Sequence, residues 1–215
     1  DSMPPADSET APSNQAAILD STAAAESDTS NSMKGLKAVT SLTVSGGTFT
    51  IDSADDAVHS NGSLTVSGGT FAISTGDDAF HADGALVIDD GVIQIDTCYE
   101  GLEGATVDIN GGEIDLTASD DGVNAAGGSD GGIGAGFGQD RFAARDAYYI
   151  RITGGTLTVQ SGGDGLDSNG NLYLDGGTTV INGPTSGADS ALDFDGSAEM
   201  NGGTLIASGS AGMAQ

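Results

Sequence analysis

Paired acidic residues recur at the same place in a repeated phrase of this 215-residue sequence. The phrase reads SADDAVHSNG over residues 53–62 and returns as STGDDAFHADG over residues 74–84. Carboxylate and amide oxygens are the ligands that Ca²⁺ prefers, whereas Zn²⁺ prefers Cys and His, and this chain has one cysteine and two histidines. The residue types therefore predict cation binding, with calcium as the favoured ion.

Short strands in a repeat of about 22 residues must position these acids. The run LTVSGGTFTI at residues 42–51 returns as LTVSGGTFAI at residues 64–73, and the first position of the glycine pair, or its equivalent, falls at 46, 68, 90, 111, 154, 176 and 202. Alternating apolar residues on both sides of a glycine corner indicate strands joined by tight turns. The sequence predicts an all-β parallel β-helix (solenoid) of about seven coils, and tandem hairpins in an antiparallel sandwich are the alternative.

Stacking the coils places the acids in columns beside one apolar residue per coil, such as Val58 or Phe80. Neighbouring coils lie about 4.8 Å apart, and two unit charges at that distance repel by about 3.5 kcal/mol at an effective dielectric constant near 20. Bound cations would relieve this repulsion. The simpler explanation of the acidic columns is that their side chains only face solvent and keep the protein soluble. The predicted calcium ligands are Asp55, Asp56, Asp77, Asp78, Glu100, Glu103, Asp120, Asp121, Asn124, Asp164 and Asp167.

The lysines and histidines occupy the same columns. Aligning MKGLKA with DDAVHS places Lys34 at the position of Asp56 and Lys37 at the position of His59, so an ammonium group would act as the cation of the first coil. His59 and His81 would stack as a structural ladder or donate hydrogen bonds to the ligands. We predict no catalytic residue.

The composition limits the partners of the chain. Five Lys and Arg against 32 Asp and Glu give a net charge of -27, which argues strongly against nucleic acid and anionic membranes as partners because these require basic contacts. No apolar run approaches the length of a membrane span. The single cysteine, Cys98, is expected to be a small buried residue.

The chain divides into an Ala/Ser/Asp-rich linker or cap at residues 1–32 and a β-helix at residues 33–215. One interval of 43 residues, between positions 111 and 154, indicates a Gly-rich loop inserted at about residues 126–149. Long loops on a rigid scaffold often carry function. The candidate polysaccharide-binding residues in or beside this loop are Arg141, Arg145, Arg151, Tyr148 and Tyr149.

The motifs KGLKA, GGTFTI, DDAVHSNG and the closing GGTLIASGSAGMAQ together resemble the bacterial carbohydrate-binding β-helix family known from cellulose-degrading clostridia. The resemblance runs from Lys34 to Gln215 and implies a right-handed, single-stranded parallel β-helix, bound calcium, and an exported cell-surface location. It also implies binding to cellulose and acidic pectic polysaccharides such as polygalacturonate, and a continuation beyond Gln215. The architecture is similar to that of calcium-dependent pectate lyases.

These observations predict an extracellular, calcium-binding polysaccharide-binding module without catalytic activity. A structural adhesin or filament subunit that associates head to tail is one alternative. A calcium-dependent pectate lyase is another, and its base would have to come from the few arginines and lysines.

Overall fold

The computed structural model describes residues 32–126, 147–185, 187 and 189–210, which form sixteen strands and no α-helix. The predicted linker at residues 1–32 lies outside them except for its last residue. The strands are β1 (Leu36–Ala38), β2 (Ser41–Ser53), β3 (Val58–Ser60), β4 (Ser63–Thr75), β5 (Phe80–Cys98), β6 (Leu102–Ile109), β7 (Glu113–Ala118), β8 (Val123–Ala125), β9 (Tyr149–Ile152), β10 (Thr156–Ser161), β11 (Leu166–Ser168), β12 (Asn171–Leu174), β13 (Thr178–Asn182), β14 (Leu192–Phe194), β15 (Ala198–Met200) and β16 (Thr204–Ser208).

The strands stack into three parallel faces that contain one strand segment from each of seven coils. Face 1 consists of β1, β3, β8, β11, β14 and the first residues of β5 and β6. Face 2 consists, in stacking order, of β2, β4, β5, β6, β9, β12 and β15. The long strands β2, β4 and β5 continue round the corner into face 3, which is completed by β7, β10, β13 and β16. Every strand pairing among the described residues is parallel, which confirms the β-helix and excludes the antiparallel sandwich.

The predicted apolar columns form the core. Register pairs carry one column through Leu42, Leu64, Leu86, Val107, Ile150 and Leu172. In the second column Phe49 stacks on Phe71 with ring centroids 4.7 Å apart, and Phe71 meets Phe80 of face 1 edge-on. Thr179 interrupts that column and is nevertheless buried. Cys98 is buried as expected, and burial, followed by the charges of neighbouring acids, raises the pKa of its thiol to about 12.

The glycine pairs make the corners between faces 2 and 3. Gly155 has φ +75°, and a Cβ atom there would lie 2.7 Å from the backbone carbon of Gly111 in the preceding coil. Gly177 repeats this geometry one coil later with φ +72°. Only a residue without a side chain allows backbones of successive coils to approach this closely at a positive φ.

The long interval does not interrupt the stack of described strands. Strand β6 pairs directly with β9, so residues 106–109 and 149–152 are neighbours on face 2. Most of the predicted loop at residues 126–149, with Arg141 and Arg145, lies outside the described residues, whereas Tyr148, Tyr149 and Arg151 lie within them. The described residues contain no helix long and apolar enough to cross a membrane.

Candidate metal sites on the acidic ladder

Two columns of polar side chains run along face 1, and we call them together the acidic ladder. The inner column holds Lys34, Asp56, Asp78, Glu100, Asp121, Asp164 and Ser190. The outer column holds Lys37, His59, His81, Glu103, Asn124, Asp167 and Asp193, which successive parallel pairings align. Both columns follow the arrangement expected from the repeat.

Carboxylates of the inner column accept hydrogen bonds from backbone N–H groups of the next coil. Asp78 Oδ1 accepts from the N–H of Glu100 at 3.2 Å, and Asp121 Oδ1 accepts from that of Asp164 at 2.7 Å. Asp56 and Asp164 accept in the same way, from the N–H groups of Asp78 and Ser190. These bonds stabilise the ionised form of each acceptor and so oppose the electrostatic repulsion expected along the column.

Lys34 supplies a cation to the first coil. Its Nζ atom lies 2.9 Å from Asp55 Oδ1 and 2.5 Å from Asp56 Oδ2, and its side chain is 6% exposed. Burial is the largest influence on the pKa of Asp56 and raises it, but hydrogen bonds from His59 and Lys34 outweigh burial and lower this pKa to about 2. The pKa of Asp55 is lowered for a similar reason, because the hydrogen bond and charge of Lys34 outweigh burial.

Oxygen atoms of Asp55, Asp56 and Asp77 lie within 4.8 Å of one another, so these residues form a group with metal-ligand spacing. Burial, followed by the charges of Asp78 and Asp56, raises the pKa of Asp77 to about 6. Since Lys34 already binds two members of the group, its ammonium offsets part of the negative charge at this end of the ladder.

Both histidines belong to groups with metal-ligand spacing. Their rings stack with centroids 4.8 Å apart, and His59 Nδ1 lies 2.7 Å from Asp56 Oδ2. His81 Nδ1 lies 3.0 Å from Asp78 Oδ2 and 2.5 Å from Glu103 Oε2. The resulting groups are Asp56, His59 and His81, and Asp78, His81 and Glu103.

The middle of the ladder concentrates negative charge. Burial, followed by the charges of Glu103 and Asp78, raises the pKa of Glu100 to about 9. Burial also raises the pKa of Glu103, although its hydrogen bond with His81 opposes the shift. Asn124 donates from Nδ2 to Glu100 Oε2 at 3.0 Å, but its buried Oδ1 has no hydrogen-bond partner among the described residues.

A third group consists of oxygen ligands alone. Carboxylate oxygens of Asp121, Asp164 and Asp167 lie within 4.8 Å of one another, and all three side chains are partly exposed. Burial raises the pKa values of all three carboxyl groups, to about 7 for Asp121 and Asp167. For Asp167 the charges of Asp121 and Asp164 add to the effect of burial. Asp120 lies outside these groups; its hydrogen bond with Tyr99 raises the pKa of that phenol to about 12.

A separate polar and aromatic surface lies on face 2. The Arg151 guanidinium carbon sits 4.6 Å from the centre of the Tyr173 ring, and the rings of Tyr149 and Tyr173 meet edge-on with centroids 6.3 Å apart. Tyr149 donates its hydroxyl hydrogen to Asp108 at 3.0 Å, and Arg151 Nε lies 3.5 Å from Asp175 Oδ2. We call Tyr149, Arg151 and Tyr173 the arginine–tyrosine surface; no described contact joins Tyr148 to it.

Tyr173 was not among the candidate binding residues, although the repeat contained the signal. It lies 22 residues after Arg151, and the two are register partners between β9 and β12.

The fold and the ladder define a repeat protein of the parallel β-helix class that carries clusters of carboxylate and imidazole groups with metal-ligand spacing. The sequence model of a family described as carbohydrate-binding domain-containing protein matches residues 9–79 and 79–211, and the chain therefore belongs to this family. No curated protein and no solved structure matches the chain. Family membership points to carbohydrate as the ligand.

Proposed function

We propose that this chain binds acidic pectic polysaccharide at a bacterial cell surface, holds calcium in its acidic ladder, and does not cleave the polymer. The observation that carries the proposal is the group of Asp121, Asp164 and Asp167, an all-oxygen set of ligands that remains partly exposed. The location follows from the ligand, because a polymer of this size is met outside the cell.

The donor set of this group fits calcium. Ca²⁺ takes six to eight oxygen ligands from carboxylates, amide or backbone carbonyls and water. Asn124, the register partner of Asp167, adds a buried amide oxygen that has no hydrogen-bond donor among the described residues. A cation beside that oxygen would satisfy it and would neutralise the neighbouring carboxylates.

Calcium also explains how a chain with a net charge of -27 can bind a polyanion. Without a bridging cation the two partners repel each other at low ionic strength. Because Asp121, Asp164 and Asp167 are not fully buried, uronate oxygens can complete the coordination of a calcium ion held by these residues.

The arginine–tyrosine surface favours a single charged polymer chain over crystalline cellulose. Its two rings meet at 66°, and Arg151 covers one side of Tyr173, so the surface is not a flat stacking platform. An exposed guanidinium supplies paired donors for a uronate carboxylate. Cellulose remains the second candidate polymer, and its chains would contact the accessible edges of the tyrosine rings.

The surroundings of Arg151 support binding rather than lyase chemistry. A lyase base must accept the proton next to the uronate carboxylate, and it must therefore reach a neutral form. Arg151 lies over an aromatic ring and near Asp175, both of which stabilise the protonated guanidinium.

A sedimentation assay with polygalacturonate that is made insoluble by covalent cross-links, and that contains no calcium, tests the proposal. We expect the wild type to bind in calcium and to be released by EDTA, and Asp167→Asn to bind at least tenfold more weakly. Asp115→Asn is the matched control, because Asp115 is an exposed acid on β7 in face 3. Binding that EDTA leaves unchanged would reject the calcium bridge, and an unsaturated product absorbing in the ultraviolet would reject the non-catalytic assignment.

A further inference from the structure

We propose that Asp78, His81 and Glu103 form a second kind of metal site, which takes a divalent transition metal such as Zn²⁺ rather than calcium. The inference concerns metal selection along the ladder and does not depend on which polysaccharide the protein binds.

The geometry brings one imidazole nitrogen to two carboxylates from successive coils. His81 Nδ1 lies 3.0 Å from Asp78 Oδ2 and 2.5 Å from Glu103 Oε2, and the three ligand atoms fall within 4.8 Å of one another. The side chains of His81, Asp78 and Glu103 are only 3%, 8% and 12% exposed. This group is therefore more enclosed than the all-oxygen group formed by Asp121, Asp164 and Asp167.

The other nitrogen of the same ring provides an independent indication. His81 Nε2 lies 3.2 Å from Asp83 Oδ1, a carboxylate outside the three-residue group. Metal-binding histidines usually donate their second ring N–H to such a carboxylate, which fixes the tautomer and the ring orientation. His81 Nδ1 lies within hydrogen-bond distance of the Asp78 and Glu103 carboxylates. When the Nε2 proton faces Asp83, the Nδ1 lone pair can bind a metal ion instead, and Asp78 and Glu103 would supply the carboxylate ligands.

Ligand chemistry separates this site from the calcium site. Imidazole suits zinc, copper, iron and nickel, whereas calcium prefers oxygen ligands. The group that contains His59 is a weaker candidate, because its Asp56 already binds the Lys34 ammonium at 2.5 Å. The site is thus placed one coil further from the lysine end, where Asp78 and Glu103 provide the negative charge.

Cobalt provides a direct test, because Co²⁺ commonly substitutes for Zn²⁺ and its visible spectrum reports coordination. The full chain, freed of metal by chelation and dialysis, is titrated with Co²⁺ in the presence of millimolar Ca²⁺. We expect one equivalent to bind with visible absorption bands that Zn²⁺ abolishes by displacement. Calcium in excess should leave the bands unchanged.

Three variants connect the signal to the proposed ligands. His81→Gln should abolish the bands, and Asp83→Asn should weaken Co²⁺ binding about 10–100-fold, the usual effect of losing such an outer partner. Asp167→Asn is the control that weakens calcium binding and retains the cobalt spectrum. If His81→Gln fails to fold, Asp83→Asn still tests the site, because Asp83 is partly exposed and its replacement should not prevent folding.

Three results would overturn the inference. These are displacement of Co²⁺ by Ca²⁺, unchanged Co²⁺ binding in both His81→Gln and Asp83→Asn, or no uptake by the wild type. In the last case, ¹⁵N shifts of the His81 ring typical of imidazolium would assign the group to an ion pair instead.

Discussion

At the scale of single residues, equivalent positions of the acidic ladder have different charge environments. In the first coils Lys34 and His59 hold the pKa of Asp56 at about 2, whereas burial and neighbouring acids raise that of Glu100 to about 9 two coils later. The repeat places these carboxylates in one column, but the cations available to each differ. Substitutions at equivalent positions should therefore have unequal effects.

Lys34→Met should lower the free energy of unfolding by about 3–5 kcal/mol, the usual cost of removing one partner from a buried ion pair. The side chains of Lys34 and Asp56 are 6% and 0% exposed, so the buried Asp56 carboxylate would lose its ammonium partner and keep its contacts with His59 and the Asp78 N–H. Calcium should restore part of the loss, because the group of Asp55, Asp56 and Asp77 then becomes available to a metal. Urea unfolding with and without calcium measures both effects.

Lys37→Met is the control for this experiment. Lys37 occupies the outer column of the same coil and is exposed, so its replacement should change stability by less than about 0.5 kcal/mol. Equal losses in the two variants would show that Lys34 does not act as an internal cation.

Asp78→Ala should destabilise the metal-free protein by about 1–3 kcal/mol, and Asp78→Asn should cost clearly less. Asp78 Oδ1 accepts the N–H of Glu100, and asparagine keeps that acceptor while removing one negative charge. Chemical unfolding in a chelator compares the two variants. If alanine proves no more damaging than asparagine, charge repulsion rather than hydrogen bonding determines the effect of Asp78.

At the scale of elements, the stacking of strands depends on the glycine corners as much as on the apolar columns. The strands of one coil cannot bury their apolar residues alone, and only neighbouring coils complete the core. The corner at Gly155 brings two coils into backbone contact at a positive φ. A change at this corner should therefore weaken the packing of both coils that meet there.

Gly155→Ala should destabilise the protein by more than about 1–3 kcal/mol, the cost of an unfavourable backbone conformation alone. The added Cβ would also lie 2.7 Å from the backbone of Gly111, which cannot move without separating two coils. Gly187→Ala is the control, because a Cβ atom at that position meets no atom within 4 Å. The melting temperatures of the two variants are compared under identical conditions. An equal fall in both would contradict the role of the Gly155 corner in stacking the coils.

At the scale of the whole molecule, the ladder should couple stability to pH and, through the proposed calcium sites, to calcium concentration. Folding raises the pKa of Asp77 to about 6, those of Asp121 and Asp167 to about 7, and that of Glu100 to about 9. The folded chain consequently binds more protons than the unfolded chain between about pH 4 and pH 9. Its metal-free stability must fall as pH rises through that range.

The melting temperature of the metal-free protein should therefore be higher at pH 5 than at pH 9. One pKa unit corresponds to about 1.4 kcal/mol, or about 3–6 °C for a chain of this size, and solvent screening reduces the effect at the partly exposed carboxyls. Below about pH 4 the trend should reverse, because Asp55 and Asp56 have lowered pKa values and their stabilisation is lost as they become protonated. Calorimetry after exhaustive dialysis measures this profile.

Saturating calcium should remove or invert the trend between pH 5 and pH 9. Calcium binds deprotonated carboxylates, so its contribution grows with pH, and it reaches about 2.7 kcal/mol per site at a hundredfold excess over Kd. A melting temperature that is insensitive to calcium at pH 9 would contradict the calcium assignment.

Head-to-tail association remains a prediction for the assembled molecule. On the last described coil Met200 and Ile206 are 54% and 56% exposed, and strands at the end of a stack offer unpaired backbone groups. Light scattering in calcium should show a molecular mass that rises with concentration and falls in Ile206→Lys. The control is Val92→Lys, because Val92 is 50% exposed but lies in the middle of the stack. A monomer at all concentrations would exclude this mode of assembly.

The period of about 22 residues by itself determined the strand class, the parallel register and the membership of the ladder. In a stacked solenoid, residues one period apart must become neighbours, so the alignment of Lys37 with His59 and of Arg151 with Tyr173 could be predicted by counting. Counting also showed that the long interval between positions 111 and 154 adds residues without breaking the column from Val107 to Ile150.

Only the tertiary structure decided which atoms meet within those columns. The contact of His81 with Asp83 as well as Glu103 depends on side-chain rotamers at a corner, and the bond from the Glu100 N–H to Asp78 depends on the offset between coils. The raised pKa of Glu100 and the lowered pKa of Asp56 depend on burial and on the distance to Lys34. A repeat determines which residues are neighbours, whereas hydrogen bonding and ionisation depend on differences of a few tenths of an ångström that arise only when all the coils are packed.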